Sequence, residues 1–239
     1  MEANNLELVQ FCISKIGTPY VMGTSGRILT QAMYNDLVKR NPGGWFIKKR
    51  LATVRSWIGT VTADCHGLIE WFVREVTGRN YDVTADGAYA AAKVKDVMGT
   101  LPERPGICVR YRGHVGVYIG GGYVVEARGF DHGVCITRLS ERPFTHWYEH
   151  PEIAYTGREL PAPKIVSAKK DSDLYDVVWL QIALNRQIGK GKLSGKPIAV
   201  DGIYGRGTAE AAAKFWRKRG WTKKDEIWGI GKHTIKALS

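Results

Sequence analysis

Residues 113–129 read GHVGVYIGGGYVVEARG, with two runs of β-branched and aromatic residues on either side of three consecutive glycines. Such runs favour strands, and the glycines at 120–122 favour a tight hairpin loop between them. With that loop, His114 lies opposite Arg128, and Glu126 is its diagonal neighbour on the same face, because side chains alternate along a strand. The hairpin therefore predicts an imidazole and a carboxylate side by side.

The hairpin lies within a longer β-rich segment. ICVRY at 107–111 precedes it and VCITRL at 134–139 follows it, with turn sequences between the runs, which is typical of an antiparallel meander. Upstream, residues 4–15 and 65–76 carry apolar side chains at helical spacing. Residues 1–158 are therefore predicted to form an α+β domain.

Cys65 differs from the other cysteines in its position. It stands at the start of the second of these helices, with Asp64 before it as an N-cap. The positive end of a helix favours thiolate, the nucleophilic form. A thiol nucleophile also needs a base, and His114, at the head of a strand beside a turn, is the best candidate among the six histidines.

The remaining cysteines are Cys12, Cys108 and Cys135, which lie in apolar helix or strand patterns and are expected to be buried. No C-x-x-C pair is present, so neither a disulfide framework nor a common zinc motif is indicated. A zinc site built from Cys65, His66, His132 and Cys135 lacks recognised ligand spacing. We expect no cofactor and no metal.

The composition is that of an ordinary globular protein, 44% hydrophobic and 24% charged, and no run of about 20 apolar residues predicts a membrane span. The formal charge of +12 is concentrated after residue 163, where 16 Lys and Arg stand against 7 Asp and Glu. This charge favours a polyanionic partner. The N-terminal residues are acidic and polar, which does not indicate a signal peptide.

The stretch TADCHGLIEW at 62–71 resembles the nucleophile motif D-C-S-G-L-[IV]-x-[WY] of the NlpC family of cell-wall cysteine peptidases, and residues 113–129 resemble that family's base-strand hairpin. Smaller likenesses are GTPYVMG at 17–23, PERPGICVRY at 102–111, and an insertion at 30–59 similar to that of phage endolysins. The resemblance implies a circularly rearranged papain-like fold with an antiparallel sheet.

By motif position, the resemblance implies Cys65 as nucleophile, His114 as base and Glu126 as the third polar residue, with the backbone N–H of Cys65 a candidate oxyanion donor. It also implies a substrate pocket lined by Tyr20, Asp64 and the residue at position 66. There are two departures from the family. His66 stands where the family usually has Ser, a residue associated with recognising the substrate's free amine, and Glu126 stands where most members have His.

A proline-containing segment, residues 159–168, is expected to be a linker. Beyond it, AVDGIYGRGTAEAAAKFWRKRGW at 199–221 and EIWGIGKHTIKAL at 226–238 resemble a peptidoglycan-binding three-helix module, which implies an all-α domain over 169–239. Thr208 and Thr234 suit helix N-caps, and Trp216 is expected in the core. Tyr204 and Trp228 are the candidate wall-binding residues.

These resemblances predict a phage-type endolysin that cleaves an amide of the peptidoglycan stem peptide. We expect a D-γ-glutamyl-diamino acid endopeptidase, and an N-acetylmuramoyl-L-alanine amidase on the same fold is the alternative. A wall-binding protein with an inactive cysteine site is a second alternative. Peptidoglycan is the expected partner, with anionic wall polymers as a further possibility; neither nucleic acid nor membrane insertion is expected. The expected location is the host cytoplasm, then the cell wall after holin-type release.

Overall fold

The computed structural model describes residues 2–40, 50–164, 166–167, 172–221 and 229–239. The chain divides into two compact units, with the boundary between Arg158 and Glu159. The first unit combines helices with an antiparallel sheet and so confirms the predicted α+β class. No helix in the described ranges is long and apolar enough to cross a membrane.

The helices of the first unit precede most of its sheet, as expected for the rearranged papain-like fold. In chain order the elements are α1 (Asn5–Ser14), β1 (Ser25–Ile28), α2 (Gln31–Arg40), α3 (Leu51–Ser56), β2 (Val61–Ala63), α4 (Gly67–Thr77) and α5 (Ala85–Ala91). Strands β1 and β2 pair with each other. The insertion supplies α2 and α3, and its residues 41–49 lie outside the described residues.

The central sheet has six antiparallel strands in the order β3-β8-β4-β5-β6-β7. The strands are β3 (Lys95–Val97), β4 (Cys108–Tyr111), β5 (His114–Gly120), β6 (Tyr123–Ala127), β7 (Val134–Arg138) and β8 (His146–Tyr148). The predicted meander is β4 to β7, and it is confirmed. The sequence pattern did not reveal β3 and β8, because both are only three residues long and β3 is exposed throughout.

The hairpin of β5 and β6 has the predicted register up to Tyr118, but Gly120 belongs to β5 and pairs with Tyr123 after a register shift, so the loop is shorter than predicted. Val117 pairs with Val125 and Tyr118 with Val124, which makes His114 and Glu126 diagonal neighbours. Gly116 faces Glu126 in this register. A Cβ atom at Gly116 would lie 2.5 Å from Val124 Cγ1 and 3.1 Å from Glu126 Cβ, so the absence of a side chain gives the carboxylate its room.

Helix α4 begins at Gly67, two residues later than predicted, and its C-cap is Gly78, whose φ of 71° is the left-handed conformation that glycine adopts at helix ends. The Asp64 carboxylate accepts the Gly67 N–H at 2.7 Å, and the Asp64 carbonyl accepts the Leu68 N–H at 3.0 Å. The predicted N-cap, Asp64, is therefore wrong: the N-cap is His66, and the Asp64 carboxylate instead accepts the N–H of the first helical residue.

The second unit contains helices at the three places where the sequence predicts them: α6 (Leu174–Gly189), α7 (Arg206–Lys218) and α8 (Lys232–Leu238). A short pairing of β9 (Val166–Ser167) with β10 (Gly229–Ile230) accompanies them. Trp216 is buried, as expected, and its indole N–H donates to Thr234 Oγ1 at 2.9 Å.

The N-cap prediction for Thr208 and Thr234 is wrong. The caps are Gly205 and Gly231, and each threonine is the third residue of its helix. Both side chains are buried, and their hydroxyls bond to other side chains, namely Gln181 and Trp216. In each case a buried side chain from another helix donates a hydrogen bond to the threonine hydroxyl, which therefore does not cap its own helix.

Candidate active site

Cys65 lies in the turn between β2 and α4, and it is half-buried. Burial, followed by the negative charge of Asp64, raises the pKa of Cys65 to about 12. The backbone N–H groups of Val115, His66 and Cys65 itself oppose this shift. The helix start therefore acts in the direction expected from the sequence, but burial outweighs it and the thiol is the resting form.

His114 is the first residue of β5, and its neighbour Val115 contributes one of the N–H groups that act on the thiol. The thiol therefore faces the start of the strand that carries His114. His114 Nε2 lies 2.6 Å from Glu126 Oε2, and both side chains are buried. This contact commits Nε2–H to the carboxylate, so that Nδ1 is the nitrogen suited to take the thiol proton.

Glu126 is held by more groups than the imidazole alone. Thr137 Oγ1 donates to Oε1 at 2.6 Å, while Arg142 Nε donates to Oε1 at 2.7 Å and Arg142 Nη2 to Oε2 at 2.9 Å. Burial raises the pKa of Glu126, but these hydrogen bonds and that from His114 together lower it to about 2. The carboxylate is therefore ionised at neutral pH.

Two further predicted pocket residues, Tyr20 and Asp64, lie close to Cys65. The pKa of Tyr20 is raised by burial and then by the neighbouring charges at Cys65 and Asp64, and its ring packs edge-on against Phe130 at 5.1 Å between centroids. Asp64 accepts the Gly23 N–H as well as that of Gly67, each at 2.7 Å. Burial nevertheless raises the pKa of Asp64 above its ordinary value.

His66 is almost completely buried, and its ring stacks against that of His150, with the two Nε2 atoms 3.2 Å apart. The Glu152 backbone N–H donates to His150 Nδ1 at 3.2 Å, which makes His150 Nε2 the donor to His66 Nε2. The proton of neutral His66 is then on Nδ1, which is buried and has no hydrogen-bond partner among the described residues.

A cavity of about 220 Å³ opens beside Cys65. His66 and Met33 line it, and so do the carboxylates of Asp64, Glu70 and Asp82. The pKa of Glu70 is raised by burial and next by the negative charge of Asp82. Arg27 also lines the cavity, so its lining has three carboxylates against one cation and suits a positively charged or hydrogen-bond-donating group. Met33 brings the insertion into the wall of the cavity.

Within the described part of the chain, no three His, Cys, Asp or Glu side chains are grouped so that they could hold a metal ion. Of the four residues considered for a zinc site, His66 lines the cavity, whereas His132 lies in an exposed turn. The side chains that the site brings together are suited to acid–base chemistry and nucleophilic attack.

The two candidate wall-binding residues of the second unit have different standing. Tyr204 is half-buried against the core of that unit, and its hydroxyl is buried without a hydrogen-bond partner among the described residues. Trp228 lies outside the described residues. The loop before α7 is held by Gln181, which the sequence analysis did not single out: its amide bonds to the Asp201 carboxylate, the Ile203 carbonyl and two backbone N–H groups.

No protein-family model matches this sequence, and no curated protein matches it. Among solved structures, the chain is similar to the NlpC/p60 domain of the peptidoglycan hydrolase SagA, with 17% identity, 62% of this chain and 99% of that chain covered, and a TM-score of 0.40. The P60 domain of an antigen from M. avium subspecies paratuberculosis is similar over 62% and 97% of the two chains, with 18% identity and a TM-score of 0.40. The peptidoglycan hydrolase RipB from Mycobacterium tuberculosis is similar over 62% of this chain and 66% of that chain, with 21% identity and a TM-score of 0.37.

Proposed function

We propose that this protein is a peptidoglycan hydrolase that cleaves an amide bond of the stem peptide with Cys65 as nucleophile. The observation that carries the proposal is the 2.6 Å contact between His114 Nε2 and Glu126 Oε2, with the thiol against the start of the same strand. A nucleophile, a base and a group that orients the base are the parts that thiol hydrolysis needs.

In the proposed reaction, His114 Nδ1 takes the proton of the Cys65 thiol as the sulfur attacks the carbonyl carbon of the amide. The tetrahedral oxyanion lies near the backbone N–H groups of Cys65 and His66, which already act on the sulfur. Collapse breaks the C–N bond, and His114 returns its proton to the leaving amine. Water, deprotonated by His114, then hydrolyses the thioester and releases the carboxylic acid and the free thiol.

The raised pKa of Cys65 is compatible with this sequence of steps, because the imidazole removes the proton during attack rather than before it. The acidic cavity beside the thiol is proposed to receive an amino group of the stem peptide. We favour the bond between D-γ-glutamate and the diamino acid, and the muramoyl to L-alanine amide is the second candidate. Both are amides, so the same chemistry serves either.

An inactive wall-binding protein is the alternative from another class, motivated by His66 and Glu126 at positions where the family usually has Ser and His. Two observations weigh against it. Glu126 is ionised and in contact with the base, and His66 is uncharged because burial lowers its pKa to about 4. Neither departure removes a group that the proposed reaction requires.

The second unit is proposed to hold the enzyme on the wall, as its motifs imply, and its excess of basic residues suits anionic wall polymers. The endolysin role, with holin-type release to the wall, is part of the same proposal. The test measures binding to purified walls at low salt and in several hundred millimolar salt. Equal binding under the two conditions would exclude the electrostatic contribution.

The test of the proposed function is mass spectrometry of soluble products from purified peptidoglycans of different stem chemistry. Wild type should release fragments that name the bond, and Cys65→Ala and His114→Ala should not. Cys12→Ala is the matched control, because Cys12 is fully buried in α1, and this variant should release the same fragments as wild type. Release of no fragments from any wall would favour the inactive binding protein.

A further inference from the structure

Arg142 follows the short 3-10 turn at Leu139–Glu141 and reaches back to the sheet, where it contacts both oxygens of Glu126. The Glu126 side chain is 0% exposed and that of Arg142 is 12% exposed. A fork of two N–H donors on one carboxylate is the geometry that fixes both the position and the orientation of the acid. Sequence motifs did not reveal this residue.

The carboxylate depends on these contacts. A buried carboxylate that loses a paired cation is left with an uncompensated charge, which is strongly unfavourable. Without Arg142, Glu126 would keep only the hydroxyl of Thr137 and the imidazole of His114 as side-chain partners in the described structure. The negative charge would then favour the protonated form of the adjacent His114.

Arg142 also contacts the aromatic residues that surround the base. Its Nη2 lies 3.4 Å from the Tyr111 hydroxyl, and its guanidinium carbon lies 5.9 Å from the ring centroids of Tyr111 and Phe144. The Tyr111 ring in turn stacks on His114 at 4.9 Å. One side chain thus fixes both the carboxylate and a ring that packs on the imidazole.

We propose that Arg142 is a positioning residue for His114: it neutralises and orients Glu126, so that the carboxylate holds Nε2–H of a neutral imidazole and leaves Nδ1 to face Cys65. In this arrangement Glu126 orients the base without supplying a net negative charge beside it. The inference rests on the proposed function only for its effect on catalysis; the effect on the protonation of His114 does not require turnover.

The test compares Arg142→Gln with Arg142→Lys. In Arg142→Gln the uncompensated carboxylate should stabilise imidazolium, so the acid limb of the kcat/KM profile should move to higher pH and kcat should fall on the order of tenfold to a hundredfold. Arg142→Lys restores the charge but not the fork, so the limb should return toward its wild-type position while kcat recovers only in part. If Arg142→Gln has the same acid limb of the kcat/KM profile and the same kcat as wild type, the proposal is overturned.

A double-mutant cycle separates this role from general stabilisation. In Glu126→Gln no charge needs neutralising, so adding Arg142→Gln should cost much less activity than it does in wild type; additive losses would contradict the proposed coupling. Arg104→Gln is the control, because Arg104 makes an ion pair of the same length, 2.7 Å, with Glu149, away from the site and with both side chains only partly buried. It should leave the acid limb unchanged.

NMR titration of the His114 ring protons supplies a readout that needs no substrate. Its pKa should be higher in Arg142→Gln than in wild type and in Arg104→Gln. If wild type cleaves no peptidoglycan but this difference is found, the proposed function fails and the positioning role stands. If wild type cleaves walls through Cys65 and the titration is the same in all three proteins, the positioning role fails alone.

Discussion

His66 and His150 are 84 positions apart in the sequence, yet their Nε2 atoms lie 3.2 Å apart in the interior of the first unit. His66 is the residue directly after Cys65, the proposed nucleophile, and the Tyr81 ring packs against both imidazoles, at 6.1 Å from His66 and 5.2 Å from His150 between centroids. In this pair His66 Nε2 accepts from His150 Nε2–H, and His150 Nδ1 accepts the Glu152 backbone N–H, so each ring uses one unprotonated nitrogen as an acceptor. Protonation of either ring therefore removes a structural contact beside the thiol.

The first prediction concerns the stability of the protein in acid. Burial lowers the pKa of His66 to about 4 and that of His150 to about 3, whereas unfolding returns both to about 6.5. Below pH about 6.5 the unfolded chain therefore binds more protons than the folded protein does. The contribution of the two neutral histidines to the free energy of unfolding is fully present above that pH and decreases as the pH falls toward about 4. The slope should approach about 1.4 kcal/mol per pH unit for each histidine.

Denaturant unfolding between pH 7 and pH 4.5 measures this slope. His150→Gln removes one titrating group of the pair and should give a shallower decrease than wild type. The matched control is His132→Gln, since His132 lies in an exposed turn, and this variant should follow the wild-type slope. A slope in His150→Gln equal to that of wild type would show that the pair does not control acid stability.

The second prediction concerns the reactivity of the nucleophile. Because burial and Asp64 raise the pKa of Cys65 to about 12, the thiolate fraction is small at neutral pH and grows tenfold with each pH unit. Alkylation of Cys65 by iodoacetamide, followed by mass spectrometry, should therefore accelerate continuously from pH 6 to pH 9. A rate that is already constant near pH 7 would instead indicate a resting thiolate paired with imidazolium.

The third prediction concerns Gly116, which gives the Glu126 carboxylate its room. A methyl group there would lie 2.5 Å from Val124 Cγ1 and 3.1 Å from Glu126 Cβ, so Gly116→Ala must displace β6. We expect a loss of about 1–3 kcal/mol in the free energy of unfolding, as for other overpacked cores, together with a lower kcat. Gly99→Ala is the control, because nothing lies within 4 Å of the added methyl group. Wild-type kcat in Gly116→Ala would refute the spacing argument.

The fourth prediction concerns the second unit. Gln181 accepts the backbone N–H groups of Asp201 and Gly202, each at 3.0 Å, and its own amide donates to the loop. Gln181→Leu leaves these groups without partners, at about 1–3 kcal/mol for a buried unsatisfied group. We expect loss of wall binding in a pelleting assay while activity on soluble stem peptides remains.

Gln187→Leu on the same helix is the control for that experiment. The Gln187 backbone carbonyl, which the substitution keeps, accepts the N–H groups of Lys192 and Leu193. This variant should pellet with walls as wild type does. If Gln181→Leu also pellets normally, the loop before α7 is not part of the wall-binding surface.

Local patterns predicted the parts of the site that depend on near neighbours. The glycines of the hairpin and the alternation along β5 and β6 are sufficient to bring His114 and Glu126 together. The helix after Cys65 is likewise a local feature, although it begins at Gly67 with His66 as its N-cap rather than at Cys65 with Asp64. Whether burial or the helix start dominates the pKa of Cys65 depends on the packed structure, and there the sequence-based expectation had the wrong sign.

Contacts between distant segments could not be predicted in the same way. Arg142 reaches Glu126 from a turn after β7, and His150 reaches His66 from beyond β8. Neither partner belongs to a periodic pattern or a motif, because each is brought into place only by the order of strands in the sheet. For the same reason β3, which pairs with β8 at the sheet edge, gave no signal of its own.

His114, Glu126 and Thr137 come from three consecutive strands, and they meet only when β5, β6 and β7 are all correctly paired. A one-residue slip of β6 would turn Glu126 to the opposite face of the sheet. The helices of a folding chain can form before these three strands are paired, and at that stage His114 has neither of its partners in place. A chain with only part of the sheet paired therefore lacks the complete site. During refolding, recovery of the proposed hydrolytic activity should therefore lag behind the recovery of helical structure.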